Sequence, residues 1–154
     1  MERRAFLKIA GGAAAGLGLT GIVTVKPARA TPAEMQEAIR AVVGSARITP
    51  GKVKLELPPL IENGNAVPLT VTVDSPMTEA EHVRVVHVFT EKNPQPYVVS
   101  FHLGPRAGRA RVSTRMRLAD SQNVVAVCQL SDGSLWSDSA AVVVTLAACL
   151  EDGI

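Results

Sequence analysis

The spacing of apolar residues changes period along the chain. Met35, Ile39, Val42 and Val43 recur at helical spacing behind Thr31-Pro32-Ala33-Glu34, a capping-box sequence with proline at the first helical position. Gly44 closes this short predicted helix. The period then drops to two, with Val53, Leu55 and Leu57 alternating against Lys52, Lys54 and Glu56 until Pro58-Pro59 ends the run. Glu62-Asn63-Gly64-Asn65 is a turn signal, and strand-like runs follow at 67–74, 82–90, 97–103, 109–118, 124–130 and 135–147. Ser75-Pro76, Asn93-Pro94-Gln95-Pro96, Gly104-Pro105 and Ala119-Asp120-Ser121 separate them. Short strands with regular turns and no helix between them predict an all-β fold, an immunoglobulin-like antiparallel β-sandwich with a short N-terminal helix.

The residues before that helix have a different character. Glu2-Arg3-Arg4-Ala5-Phe6-Leu7-Lys8 carries an arginine pair followed by Phe-Leu-Lys, and 17 uncharged residues run from Ile9 to Val25. This is the pattern of a twin-arginine export signal. Gly11, Gly12, Gly16, Gly18 and Gly21 make the stretch weakly apolar and helix-averse, which suits a removable signal better than a membrane anchor. Ala28-Arg29-Ala30 supplies a small-x-small cleavage site, so the mature chain is expected to begin at Thr31. Three segments follow: a cleavable signal over 1–30, a helix-plus-sandwich domain over 31–146, and a C-terminal arm over 147–154. The expected compartment is the periplasm, reached already folded, with no membrane association after cleavage.

Removing the signal takes away Arg3, Arg4, Lys8, Lys26, Arg29 and Glu2, so the formal charge of +2 becomes −2. Nothing in that balance points to nucleic acid or to an anionic membrane.

An exported protein can form disulfides, and the chain has two cysteines. Asp132-Gly133 predicts a hairpin in which Cys128 lies opposite residues near Ser137 and Asp138. Cys149, about 11 residues further on, would then be roughly 35 Å away at the usual strand rise, far beyond disulfide reach. Cys128 reads as a small buried apolar residue. Cys149, on the tail, is left as the odd thiol, which points to a reactive role or to an intermolecular bond such as a disulfide homodimer. Glu151, Asp152 and a terminal carboxylate disfavour a nearby thiolate and should raise its pKa above about 8.5. Such a thiol suits an acceptor activated inside a partner's site better than a self-contained enzyme.

The other candidate chemistry is sparse. His82 and His87 face opposite sides of one strand and His102 stands alone, so no metal site is expected. His87 shares a predicted face with Val83, Val85 and Phe89 and reads as a core histidine. No nucleophilic elbow, metal motif or cofactor fingerprint is present, which predicts a non-enzyme without a cofactor. Arg109, Arg111, Arg115 and Arg117 fall on one strand face and, with Arg106, form a basic stripe. Two readings stand: a solvated face tied by ion pairs to Glu79, Glu81 or Glu91, or a docking surface for an acidic partner.

Several blocks resemble the SoxY family, the cysteine-bearing subunit of the SoxYZ sulfur carrier. They are Glu62-Asn63-Gly64-Asn65-Ala66-Val67-Pro68 leading to Val73-Asp74-Ser75-Pro76-Met77-Thr78, then Phe89-Thr90-Glu91-Lys92-Asn93-Pro94, the segment from Gly108 to Ala119, and Ser131-Asp132-Gly133-Ser134-Leu135-Trp136. The resemblance implies an immunoglobulin-like fold paired as a heterodimer with a SoxZ-like subunit. It implies a tail cysteine, Cys149 by position, on which thiosulfate-derived sulfur is carried covalently. A heme-containing enzyme would load the thiol and a hydrolase would release sulfate. Cys128 has no counterpart in the family's motif.

The resemblance breaks at the functional end. The family's usual tail is Gly-Gly-Cys-Gly-Gly, whereas Ala147-Ala148-Cys149-Leu150-Glu151-Asp152-Gly153-Ile154 stands here. Leu150 and Glu151 add width, charge and stiffness where glycines would thread a narrow channel. That departure sustains a second reading, an exported immunoglobulin-like binding or assembly module whose cysteine carries no substrate.

Overall fold

A computed structural model describes residues 29–147. The expected helix is α1, Pro32–Val43. Its first turn is satisfied reciprocally: Glu34 N donates to Thr31 Oγ1 at 3.3 Å and Thr31 N donates to Glu34 Oε2 at 2.6 Å. Gly44, at φ 78°, ends it by donating its N–H to Arg40 O.

Strands β1 to β9 are Ile48–Pro50, Val53–Glu56, Leu60–Ile61, Val67–Val73, Val83–Thr90, Tyr97–His102, Arg111–Met116, Gln122–Leu130 and Leu135–Val144. A six-stranded sheet has the order β1-β9-β8-β5-β6 with β3 also on β9, and a three-stranded sheet has the order β2-β4-β7. The two sheets meet face to face. Leu69 and Val71 of the small sheet enter one core with Val86, Val88, Val124 and Ala126 of the large one. The opposite face of the large sheet is covered by α1, whose Met35 and Ile39 pack on Phe89, Val127 and Leu135. Burial on both faces explains why β5 is a nearly unbroken apolar run rather than an alternation.

Three expectations are corrected. The sandwich is not wholly antiparallel, because β1 and β3 both run parallel to β9, Ile48 opposite Leu135 and Leu60 opposite Val143. Neither was expected as a strand. The hairpin after β8 has a three-residue loop, with Gly133 at φ 85° and Leu130 N donating to Ser134 O, so Cys128 faces Trp136 rather than Ser137. Finally, a register shift between Val83 and Val85 moves Val83 to the inter-sheet core, while His87 and Phe89 look toward α1. His87 is nonetheless a buried histidine, as expected.

Candidate functional site: the root of the C-terminal arm

Strand β9 is the longest of the fold's described strands and leads directly to the tail. Its far end is tied down on several sides. Val143 N donates to Pro59 O at 2.9 Å, and Thr145 N donates to Ile61 O at 2.9 Å. Thr145 Oγ1 reaches Glu62 O at 3.2 Å, and Val144 N donates to Ser121 Oγ at 2.9 Å. Gly64 completes the anchor, its N–H on Leu146 O at 2.7 Å and its carbonyl taking Leu118 N at 2.8 Å. The chain is therefore fixed to Leu146. Cys149, the sequence-based attachment residue, lies outside the described residues, as do Ala148, the residues after Cys149, and residues 1–28 of the expected signal.

Reach decides what this root can present. Cys149 is the third residue after Leu146, so its Cα can reach no more than about 11 Å from the anchor. Cys128 sits opposite Trp136, eight strand residues before Val144, or about 26 Å away. The two cysteines therefore cannot meet within a chain, as the strand arithmetic predicts. Cys128 is fully buried in the inter-sheet core. Burial, opposed only weakly by a backbone hydrogen bond from Trp136 and the charge of Lys52, pushes its thiol up to about 11.

Around the root the surface is unusually apolar. Leu60, Val143 and Leu146 are 58 %, 55 % and 58 % exposed. Leu60 and Val143 are direct cross-strand partners. A groove of ≈ 400 Å³ opens alongside, lined by Leu60, Ile61, Ala66 and Pro68 with Glu62 as its acidic member.

The basic stripe lies on the small sheet. Arg111 and Arg115 are exposed on β7, Arg109 and Arg117 flank the strand, and Arg106 belongs to a short 3-10 turn, Pro105–Ala107. Of the acidic residues that would tie this face down, Glu79 lines one cleft with Arg106 without forming an ion pair among those of the described residues, and the other two are engaged elsewhere. Glu81 pairs with Lys52 at 3.5 Å, and Glu91 accepts from Asn123. Among the described residues the ion pairs are Arg29–Asp120, Lys52–Glu81, Lys54–Glu56 and Lys92–Asp120, none involving these arginines. Arg111 is felt at a distance: Glu56 is held below its ordinary value first by the hydrogen bond and charge of Lys54, then by Arg111. The stripe runs the length of the sheet and ends at the arm root, because Leu118, next to Arg117, is the residue bonded to Gly64.

His82 and His102 line one small cleft, but the three histidines do not form a cluster with metal-ligating partners among the described residues. His87 Nδ1 lies 3.1 Å from Tyr97 Oη, His82 Nδ1 lies 3.1 Å from Thr78 O, and His102 is exposed. Among the described residues no group of His, Cys, Asp or Glu could hold a metal ion.

The model of the family described as "Sulfur oxidation protein SoxY" matches residues 39–149, from the helix to the tail cysteine. The chain belongs to the SoxY family. The sulfur carrier protein SoxY from Chlorobium limicola f thiosulfatophilum is 34 % identical, with 74 % of this chain and 98 % of that one covered and a TM-score of 0.62. SoxY is a carrier, so this chain is a non-catalytic protein of sulfur oxidation. Superoxide reductase (neelaredoxin) from Ignicoccus hospitalis aligns at 17 % identity and TM-score 0.55 over 61 % of this chain and 80 % of its own. A putative superoxide reductase from Thermotoga maritima aligns at 22 % and 0.52 over 64 % and 87 %. These two likenesses concern the fold alone. Among curated proteins none matches the sequence.

The sequence reading missed the anchors. Gly64 was legible only as part of a turn, and Thr145 only as a strand residue. The apolar trio at the root carries no motif.

Proposed function

We propose that this chain is a periplasmic sulfur carrier of thiosulfate oxidation and that Cys149 is the residue to which sulfur is attached. The observation that carries the reading is the family match that runs to Cys149, on a body that fixes the chain to Leu146 and leaves the Cα of Cys149 no more than about 11 Å from that anchor. Burial of Cys128 supports a single working thiol. In this reading residues 1–30 are a removable twin-arginine signal and 147–154 form the carrying arm. The two packed sheets are the immunoglobulin-like body that pairs with a SoxZ-like subunit.

The chemistry needs an outside oxidant. Cys149 thiol and thiosulfate join through a new S–S bond, releasing one proton and two electrons, which a heme-containing enzyme accepts. Water then attacks the terminal sulfonate in a hydrolase, leaving a persulfide on Cys149 and releasing sulfate. The carrier's own residues supply position alone, which agrees with the acids Glu151 and Asp152 that follow Cys149 in the sequence. The arginine stripe Arg106, Arg109, Arg111, Arg115 and Arg117 serves as a docking face for acidic surfaces on these partners, reaching the arm root where a partner must engage.

Reconstitution tests the reading. Thiosulfate-dependent cytochrome reduction with the family's partner proteins should be supported by wild type and by Cys128→Ser and abolished by Cys149→Ser. Activity retained in Cys149→Ser would overturn it.

A further inference from the structure

The groove beside the arm root and the end of the arginine stripe belong to one surface. Pro68, which lines the groove, is the cross-strand partner of Arg115. Ile61, which also lines it, accepts Thr145 N where the arm departs. Arg117 adjoins Leu118, and Leu118 is joined to Leu146 through the two backbone hydrogen bonds of Gly64. Arg117 is thus on the order of 14 Å from the last anchored residue. An apolar groove walled by Leu60, Ala66 and Pro68 therefore lies next to two exposed guanidinium groups that no carboxylate among the described residues pairs.

The sequence beyond the anchor matches this surface in order and in length. Leu150 is four residues from Leu146 and reaches at most about 14 Å, while Glu151 and Asp152 reach about 18 and about 21 Å. The groove is lined by Leu60, Ile61, Ala66 and Pro68 with the like-charged Glu62 beside them, so a leucine suits the groove better than an acid does and the two acids suit the arginines. An acidic partner surface satisfies the arginines once it engages; before that, the apolar wall and the arginines both stand open among the described residues. The tail accounts for both.

We propose that Leu150-Glu151-Asp152 docks back onto its own body, Leu150 in the groove and Glu151 and Asp152 on Arg115 and Arg117, holding Cys149 against the arm root until a partner displaces the tail. This holds whatever Cys149 carries, and its test uses no sulfur-transfer chemistry.

The test is the alkylation rate of Cys149 by neutral iodoacetamide, read by peptide mass on the full mature chain at low salt. Four forms are compared: wild type, Arg115→Glu with Arg117→Glu, Glu151→Lys with Asp152→Lys, and all four substitutions together. Docking predicts that each half-swap speeds alkylation by ~3- to 10-fold, the range set by two exposed ion pairs. It further predicts that the full swap returns the rate toward wild type and that raised salt accelerates the wild type. Local electrostatics at the thiol alone predicts a rate set by residues 151 and 152 whatever stands at 115 and 117, and that result would overturn the proposal. Protection that grows with protein concentration would assign the groove to a second copy's tail and would overturn it equally. Thermal unfolding of each variant confirms that these surface changes leave the body folded.

Discussion

Cys128 should be chemically silent, and the extent of that silence can be worked out. The substitution Cys149→Ser leaves Cys128 as the only cysteine of the chain. With its thiol pushed up to about 11 by burial, about 3 in 10,000 molecules carry a thiolate near pH 7.5, against ~10 % for an ordinary thiol with pKa about 8.5. Ionisation alone therefore slows Cys128 by ~300-fold. Complete burial adds to it, since a reagent must wait for the sheets to part. The assay is a time course of alkylation, quenched and read by peptide mass for wild type, Cys149→Ser and Cys128→Ser. Labelling should appear only on the peptide that contains residue 149 until denaturant is added. Labelling of Cys128 within a few-fold of the Cys149 rate would refute the burial argument and reopen the question of which thiol works.

Other parts of the structure make separate predictions. Leu69→Ala, at a position 2 % exposed between the sheets, should cost ~2–5 kcal/mol in denaturant unfolding. Ser121→Ala removes the acceptor of Val144 N; a loss of ~1–3 kcal/mol is expected, with faster amide exchange at Val144 than in wild type. His87 is lowered from 6.5 first by burial and then by the charge of His102. The neutral ring is favoured in the fold, so its contribution is present above pH 6.5 and lost as pH falls through the lower folded value. Unfolding midpoints should therefore drop on acidification, and the drop should be shallower in His87→Phe; equal slopes would contradict that account.

Much of the body was legible because local signals and tertiary packing agree. The capping box at Thr31 and Glu34, the alternation of Val53 and Leu55, and the turn residues that bound the longer strands are all local signals. What escaped was non-local. Strands β1 and β3 are three and two residues long; Pro50 ends the first, and Pro58 and Pro59 precede the second, so the sequence reads as breakers. Their parallel pairing with β9 comes from no hairpin and leaves no turn signal. The bulge near Val85 changes which face Val83 occupies, and nothing in an apolar run marks where that shift falls. Cys149 is an expectation from the sequence and lies outside the described residues. The anchors of Thr145 and Leu146 were not legible, because Gly64, Ile61 and Leu118 come from distant segments and meet only through backbone hydrogen bonds.

The most direct test of the carrier reading is the mass of the arm under turnover. Mature protein with its partner subunit, thiosulfate and the loading enzyme should yield a peptide bearing Cys149 with a reducible sulfur adduct. That adduct should be absent in Cys149→Ser and unchanged in Cys128→Ser. An unmodified Cys149 while thiosulfate is being consumed would contradict the account.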